Sequence, residues 1–300
     1  MHDYFYYYNA VDAKNTVCQR RRRDIFDGRH CRAKGGQGVE LALLKIAIAA
    51  ATVVGLAEIA KRIDPVLSGV LLGLPLGAGL SVYFVAAEQG VDFVVAGLPW
   101  AIAGLCSAVV FCTVYLAMGQ RLKCGRLLEV SGCSVVAMAA FFGSATLVRS
   151  LEWTALGSTV AFLAVTAANI YLLQLFPRPK ITVGGRAAGF GGLLLRGLIA
   201  GTIITAVTLV APLAGSQWTG ILSSFPSTLY ALLIIVHYET GQTVYPAIIH
   251  SFARSVPALA VFYLGCMALL PVFGLNRGFL AVYAISAAYV YLTHSLLRRK

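Results

Sequence analysis

From residue 41 onward the chain is a succession of apolar runs of about 20 residues separated by short polar connections. A run of that length crosses a hydrocarbon core of roughly 30 Å as a helix. The pattern predicts helices at about 41–61, 65–87, 92–118, 127–148, 153–175, 191–213, 217–238, 245–270 and 278–297. The dyad alternation required of a strand barrel is absent. Short connections leave no room for a domain outside the bilayer, and the longest internal one, 177–189, carries Pro179, Gly184 and Gly185 and divides the chain. The expected fold is all-α, a polytopic integral membrane protein of about nine transmembrane helices.

Residues 1–38 differ from everything that follows. They hold Tyr4, Tyr6, Tyr7 and Tyr8, then Arg20 to Arg23, then Gly35, Gly36 and Gly38, with no apolar core of the kind a signal peptide needs. Two readings stand side by side: a disordered basic tail, or an upstream stretch preceding a start at Val39, with Lys34-Gly35-Gly36 encoded by a ribosome-binding sequence.

Composition strengthens the membrane reading. Of the 300 residues 59% are hydrophobic and only 12% charged, too few polar groups to cover a water-soluble surface. The net charge of +12 does not point to nucleic acid, because the basic residues cap apolar runs rather than line a face with aromatics. Lys61, Arg62, Arg121, Lys123, Arg126, Arg178, Lys180, Arg186, Arg298, Arg299 and Lys300 fall on one predicted side, against Arg149 and Arg277 on the other. Basic loops stay in the cytoplasm, so the C-terminus is expected inside, the start of the first helix outside, and the protein in the cell (inner) membrane. The Arg20 to Arg23 run argues the opposite way. Cys18, Cys31, Cys106, Cys112, Cys124, Cys133 and Cys266 form no CxxC pair and no metal-ligand spacing, and read as small apolar fillers. No metal or cofactor is expected.

The chain also repeats itself. A shift of 151 residues aligns 43–90 with 194–241 without a gap, so that Leu43, Leu44, Ile48, Gly69, Pro75, Glu88 and Gly90 recur as Leu194, Leu195, Ile199, Gly220, Pro226, Glu239 and Gly241, while Lys45 matches Arg196. Five predicted spans separate the equivalent first and sixth helices. That odd number makes the halves inverted repeats in a 4+1+4 order: a tail (1–38), a first four-helix repeat (39–148), a connecting helix with its linker (149–189) and a second repeat (190–300). Inverted repeats with interrupted helices are typical of transporters that expose a midplane site alternately to each side.

The stretch Leu194-Leu195-Arg196-Gly197-Leu198, with Gly220-Ile221-Leu222-Ser223-Ser224-Phe225-Pro226 and His237-Tyr238-Glu239-Thr240-Gly241, resembles the GlpM-type small membrane proteins. The first half resembles that pattern more weakly, keeping Gly69, Leu74, Pro75 and Gly90 but carrying Ala86 and Ala87 in place of His237 and Tyr238. The resemblance implies a tandem pair of four-helix units and does not supply a substrate.

Candidate site residues follow from the polar positions. Pro75 and Pro226 interrupt equivalent helices near mid-membrane, each removing a backbone donor and exposing carbonyls that need a partner; the alternative is a kink in a packed helix. Ionisable groups in a bilayer are costly and are functional candidates by default. Lys45 with Glu88, and Arg196 with Glu239, are placed to meet at opposite faces as two gating ion pairs, or else the basic residues snorkel to headgroups. His250 and Arg254, four apart on one helix, lie close in sequence to His237 and Tyr238 and complete the expected substrate-binding set, with Arg254 suited to an anionic group and His250 to titration near neutral pH. Asn169, Gln174 and Glu58 read as helix–helix hydrogen bonders.

Together these features favour a transporter-like protein moving a small molecule or ion by alternating access, with the bilayer and, as an open possibility, a second copy of the chain as its partners. The alternative is a non-transporting membrane partner of another complex. An enzyme is not expected, since HExxH, GxSxG and paired mid-helix aspartates are missing.

Overall fold

The computed structural model describes residues 40, 42–52, 75–122, 125–176 and 190–298. Among these there is no strand. The helices are α1 (Ala42–Thr52), α2 (Leu76–Gln89), α3 (Val91–Arg121), α4 (Arg126–Arg149), α5 (Ala155–Leu172), α6 (Phe190–Ser223), α7 (Ser227–Thr240), α8 (Tyr245–Ser255) and α9 (Pro257–Arg298). Contacts divide the chain after Leu44. Of the first unit only Glu40 and residues 42–44 are described, all helical. The second unit, from Lys45, holds the rest.

Local chemistry sets several boundaries. The Thr154 hydroxyl accepts from the Gly157 N–H at 3.1 Å and caps α5. Asp92 stands in the first turn of α3 and Arg121 in its last, each matched to the helix dipole. The predicted helices at 92–118, 127–148 and 153–175 correspond to α3, α4 and α5 with its 3₁₀ extension Leu173–Leu175. The remainders of those at 41–61 and 65–87, with Glu58, Gly69 and the linker 177–189, lie outside the described residues.

The second half departs from uninterrupted helices. The predicted helix at 217–238 is broken: α6 ends at Ser223 and α7 begins after Pro226, whose φ of −78° and ψ of 63° are not helical. The one at 245–270 is divided at Val256, ahead of Pro257. Two further kinks fall at Gly215 (φ 79°, ψ 171°) within α6 and Gly274 (φ 71°, ψ 178°) within α9. Each follows a proline by three residues, Pro212 and Pro271. The proline removes a helical hydrogen bond, and glycine then takes a positive φ that a side chain would oppose.

Helix α3 is the central element, packed against α4, α5, α6 and α9 and buried along most of its length. Helices α4 and α5 instead turn apolar side chains outward: Leu127, Val135, Leu147, Leu156 and Val160 are each more than half exposed. Their inward faces carry Glu129, Ser158, Thr166 and Asn169, and Asn169 accepts from the Thr113 hydroxyl across the α3–α5 interface at 2.5 Å. An apolar exterior around a partly polar interior is expected of helices solvated by lipid. Five segments, Val91–Arg121, Arg126–Arg149, Ala155–Leu175, Gly197–Ser223 and Tyr245–Thr293, are long and apolar enough to cross a membrane. The architecture fits an all-helical membrane protein.

Candidate functional site

Polar groups gather at three places. The first is the pair of helix starts at Pro75 and Pro226. Their backbones match closely (φ −76°, ψ 60° and φ −78°, ψ 63°), and each opens a 14-residue helix that ends at a glycine of positive φ, Gly90 or Gly241. Each proline carbonyl accepts from the N–H four residues on, Gly79 or Tyr230, at 2.7 Å. Tyrosines of α9 reach both breaks: Tyr283 donates to the Pro75 carbonyl (3.3 Å) and Tyr263 to the Ser223 carbonyl (2.9 Å). Buried carbonyls freed by a break need such donors. Ser81, Ser223, Ser224 and Ser227 are buried around these turns, with Ser81 donating to Ser223 at 3.4 Å. Beside them lies a crevice bounded by Val82, Leu98, Ala101, Ser216, Thr219 and Ser223.

The second place is an ion pair. The structure brings Lys45 of α1 against Glu88 of α2, and the same ammonium donates to the Thr208 hydroxyl of α6 at 2.8 Å. Lys45 is 3% exposed, whereas the Glu88 side chain keeps a quarter of its surface. Lys45 therefore does not snorkel. It ties three helices together through a desolvated contact. The counterpart pair is not brought into view in the same way, because the Arg196 side chain lies outside the described residues; Glu239 is exposed, and its carbonyl accepts from the Arg126 guanidinium at 3.2 Å.

The third is a buried cluster around His237, which is 1% exposed. Its Nε2 is 3.2 Å from Glu129 Oε1 and its Nδ1 3.0 Å from the Tyr115 hydroxyl. The Gln242 amide donates to the same Glu129 oxygen at 2.8 Å and to the Gly119 carbonyl. Tyr245 lies over the imidazole with ring centroids 4.1 Å apart. Its buried hydroxyl has no hydrogen-bond partner among the described residues. A methyl group at Gly119 would fall 2.0 Å from that hydroxyl, so only glycine admits the Tyr245 ring here.

Compared with family models, with curated proteins and with solved structures, the chain matches none.

The remaining expected residues are dispersed. Tyr238, the next residue along α7, is 53% exposed where His237 is buried. His250 is buried in α8 while Arg254, one turn on, is exposed, so the two do not share an environment. Among the described residues no group of three or more His, Cys, Asp or Glu is placed to hold a metal ion. Glu129, Tyr115, Gln242 and Tyr245 were not legible as site residues. They come from α3, α4, the α7–α8 connection and the first residue of α8, and Glu129 reads in sequence as an ordinary first-turn acid behind Arg126.

Proposed function

We propose that this protein is a multi-pass membrane transporter that moves a small molecule or ion by alternating access between two inverted four-helix repeats. The observation that carries this reading is the crossing of α1 and α6. Under the 151-residue shift Ile46 corresponds to Gly197 and Ala50 to Gly201. A methyl group on Gly197 would lie 2.7 Å from the Ala50 Cα, and one on Gly201 3.0 Å from the Ile46 Cα. The two contacts exchange when the halves are exchanged, and their order along the chain is antiparallel. A twofold axis along the membrane normal leaves equivalent helices parallel; an axis in the membrane plane turns one over.

The long helices support nine crossings. As one straight helix, Tyr245–Thr293 would run about 70 Å, more than twice the hydrocarbon thickness. Divided at Gly274, it supplies two spans. Division of α6 at Gly215 likewise gives one span before the kink and a second, broken one continuing through Pro226 into α7. The 4+1+4 order and the GlpM-like resemblance of 194–241 agree with this division.

In this reading the Lys45–Glu88 pair is the closed gate of one face, Arg196 and Glu239 form the gate of the other, and the serine-lined turns at Pro75 and Pro226 flank the transported species. The test places Ser223→Cys in proteoliposomes and labels it with a membrane-impermeant maleimide from either side. Labelling from one face only is expected, with additional labelling from the opposite face once Glu88→Gln opens the pair. Labelling unaffected by Glu88→Gln would instead favour a non-transporting partner protein.

A further inference from the structure

The geometry points to the Glu129–His237 pair as a proton-binding site, and so to the proton as the coupling ion of the transport cycle. The coupling rests on the reading above; the proton binding stands on the cluster alone.

The oxygen that His237 and Gln242 share belongs to a carboxylate almost wholly removed from solvent, the Glu129 side chain being 10% exposed. A cation such as sodium needs a cage of several oxygens. Glu129 is met instead by nitrogen donors. The Gln242 amide has two acceptors before it, Glu129 Oε1 and the Gly119 carbonyl, which fixes its NH₂ toward both and turns its own oxygen away. What remains is a carboxylate whose second partner, an imidazole, can itself change charge.

The imidazole can gain a proton without losing a contact. When neutral, Nε2–H donates to Glu129 and Nδ1 accepts from the Tyr115 hydroxyl. When a proton binds Nδ1, that nitrogen becomes a donor and the hydroxyl rotates to accept, its own hydrogen turning away from the ring. Heavy atoms stay where they are, and the cluster passes from a net charge of −1 to neutral. A site that only braced helices would not need a partner able to donate and to accept. Of the other groups facing it, Tyr245 covers the ring and Cys133 and Tyr230 stand beside Tyr115, while the Arg126 guanidinium, one turn before Glu129, is a fixed positive charge that donates to the Tyr238 and Glu239 carbonyls rather than to the Glu129 carboxylate.

Position adds a route. Glu129 is in the first turn of α4, Tyr115 two turns from the end of α3, and His237 in the last turn of α7, so the cluster sits at the end of the bundle that carries Arg121 and Arg126. The first half has Ala86 where the second has His237, so one repeat alone carries the site. Because His237 belongs to the half-helix that starts at Pro226, a change in its charge acts on the element that the transport reading requires to move.

The test is a titration of the full chain, ¹⁵N-labelled at histidine and held in lipid nanodiscs, with the probe being the proton itself. His237→Asn assigns the resonance. We expect one protonation step of His237 in the range over which the chain stays folded, moved to lower pH by about one unit or more, a tenfold loss of proton affinity, in Glu129→Gln. Tyr115→Phe, which keeps the ring but not the hydroxyl, should move it in a second, smaller step. An imidazole that keeps one protonation state throughout that range, or a step that Glu129→Gln leaves in place, overturns the proposal. The titration needs no transport, so its failure removes the proton site and leaves the gating test untouched, and a failed gating test leaves the titration standing.

Discussion

Gly77 packs against Thr228, the residue 151 positions further along the chain: a methyl group on Gly77 would lie 3.2 Å from the Thr228 Cγ2 and 2.6 Å from the Ser227 hydroxyl. In the inverted repeat proposed above, a residue that touches its own counterpart marks where the twofold axis would pass. Helices α2 and α7 thus begin beside one another at their prolines, which is the arrangement expected of paired half-helices around a midplane site.

The α1–α6 crossing leaves no room for a side chain. Gly197→Ala is expected to destabilise the protein by about 1–3 kcal/mol, the usual range for overpacking. Gly191→Ala, where a methyl group meets nothing within 4 Å, should be near neutral and serves as the control. Thermal unfolding in detergent, followed by intrinsic fluorescence, separates the two.

Lys45 and Glu88 should be coupled. Lys45→Met leaves Glu88 facing a desolvated site, and Glu88→Gln leaves the Lys45 ammonium with the Thr208 hydroxyl; each is expected to cost about 2–4 kcal/mol. The double change Lys45→Met with Glu88→Leu should recover most of that loss, because removing both charges also removes their desolvation. A double-mutant cycle on unfolding midpoints gives the coupling energy directly, and additive losses would show that the two side chains do not depend on one another.

The tyrosines of α9 hold the breaks. Tyr263→Phe removes the donor to the Ser223 carbonyl while keeping the ring in its buried packing, and is expected to cost about 1–2 kcal/mol. Tyr283→Phe, whose bond to the Pro75 carbonyl is longer, should cost less. Hydrogen exchange of the amides following each break reads the effect locally.

These elements were unequally legible in the sequence. Helices α3, α4 and α5 follow from apolar length alone, and even Pro99 inside α3 does not divide it. The matching turns at Pro75 and Pro226 emerged from self-comparison, because a proline, a glutamate and a glycine in one register are hard to produce from apolar composition. The same prolines did not reveal whether the helix bends or breaks; that is decided by the tyrosine donors of α9, far away in sequence. The Glu129–His237 contact joins residues more than a hundred positions apart, and the sequence placed His237 with His250 and Arg254 rather than with Glu129. His250 and Arg254 share a helix and a four-residue spacing, yet burial separates them, since a residue's position around α8 says nothing of which neighbour covers it.

Inversion of the two halves is tested most directly by the sidedness of Asp92, in the first turn of α3, and Thr243, in the α7–α8 connection, exposed positions that correspond under the 151-residue shift. With native accessible cysteines replaced by serine, Asp92→Cys and Thr243→Cys are labelled in oriented membranes with an impermeant thiol reagent. Asp92→Cys is predicted to react only from outside the cell and Thr243→Cys only from the cytoplasmic side. Reaction of both from the same face would contradict the inverted repeat and the alternating access built upon it.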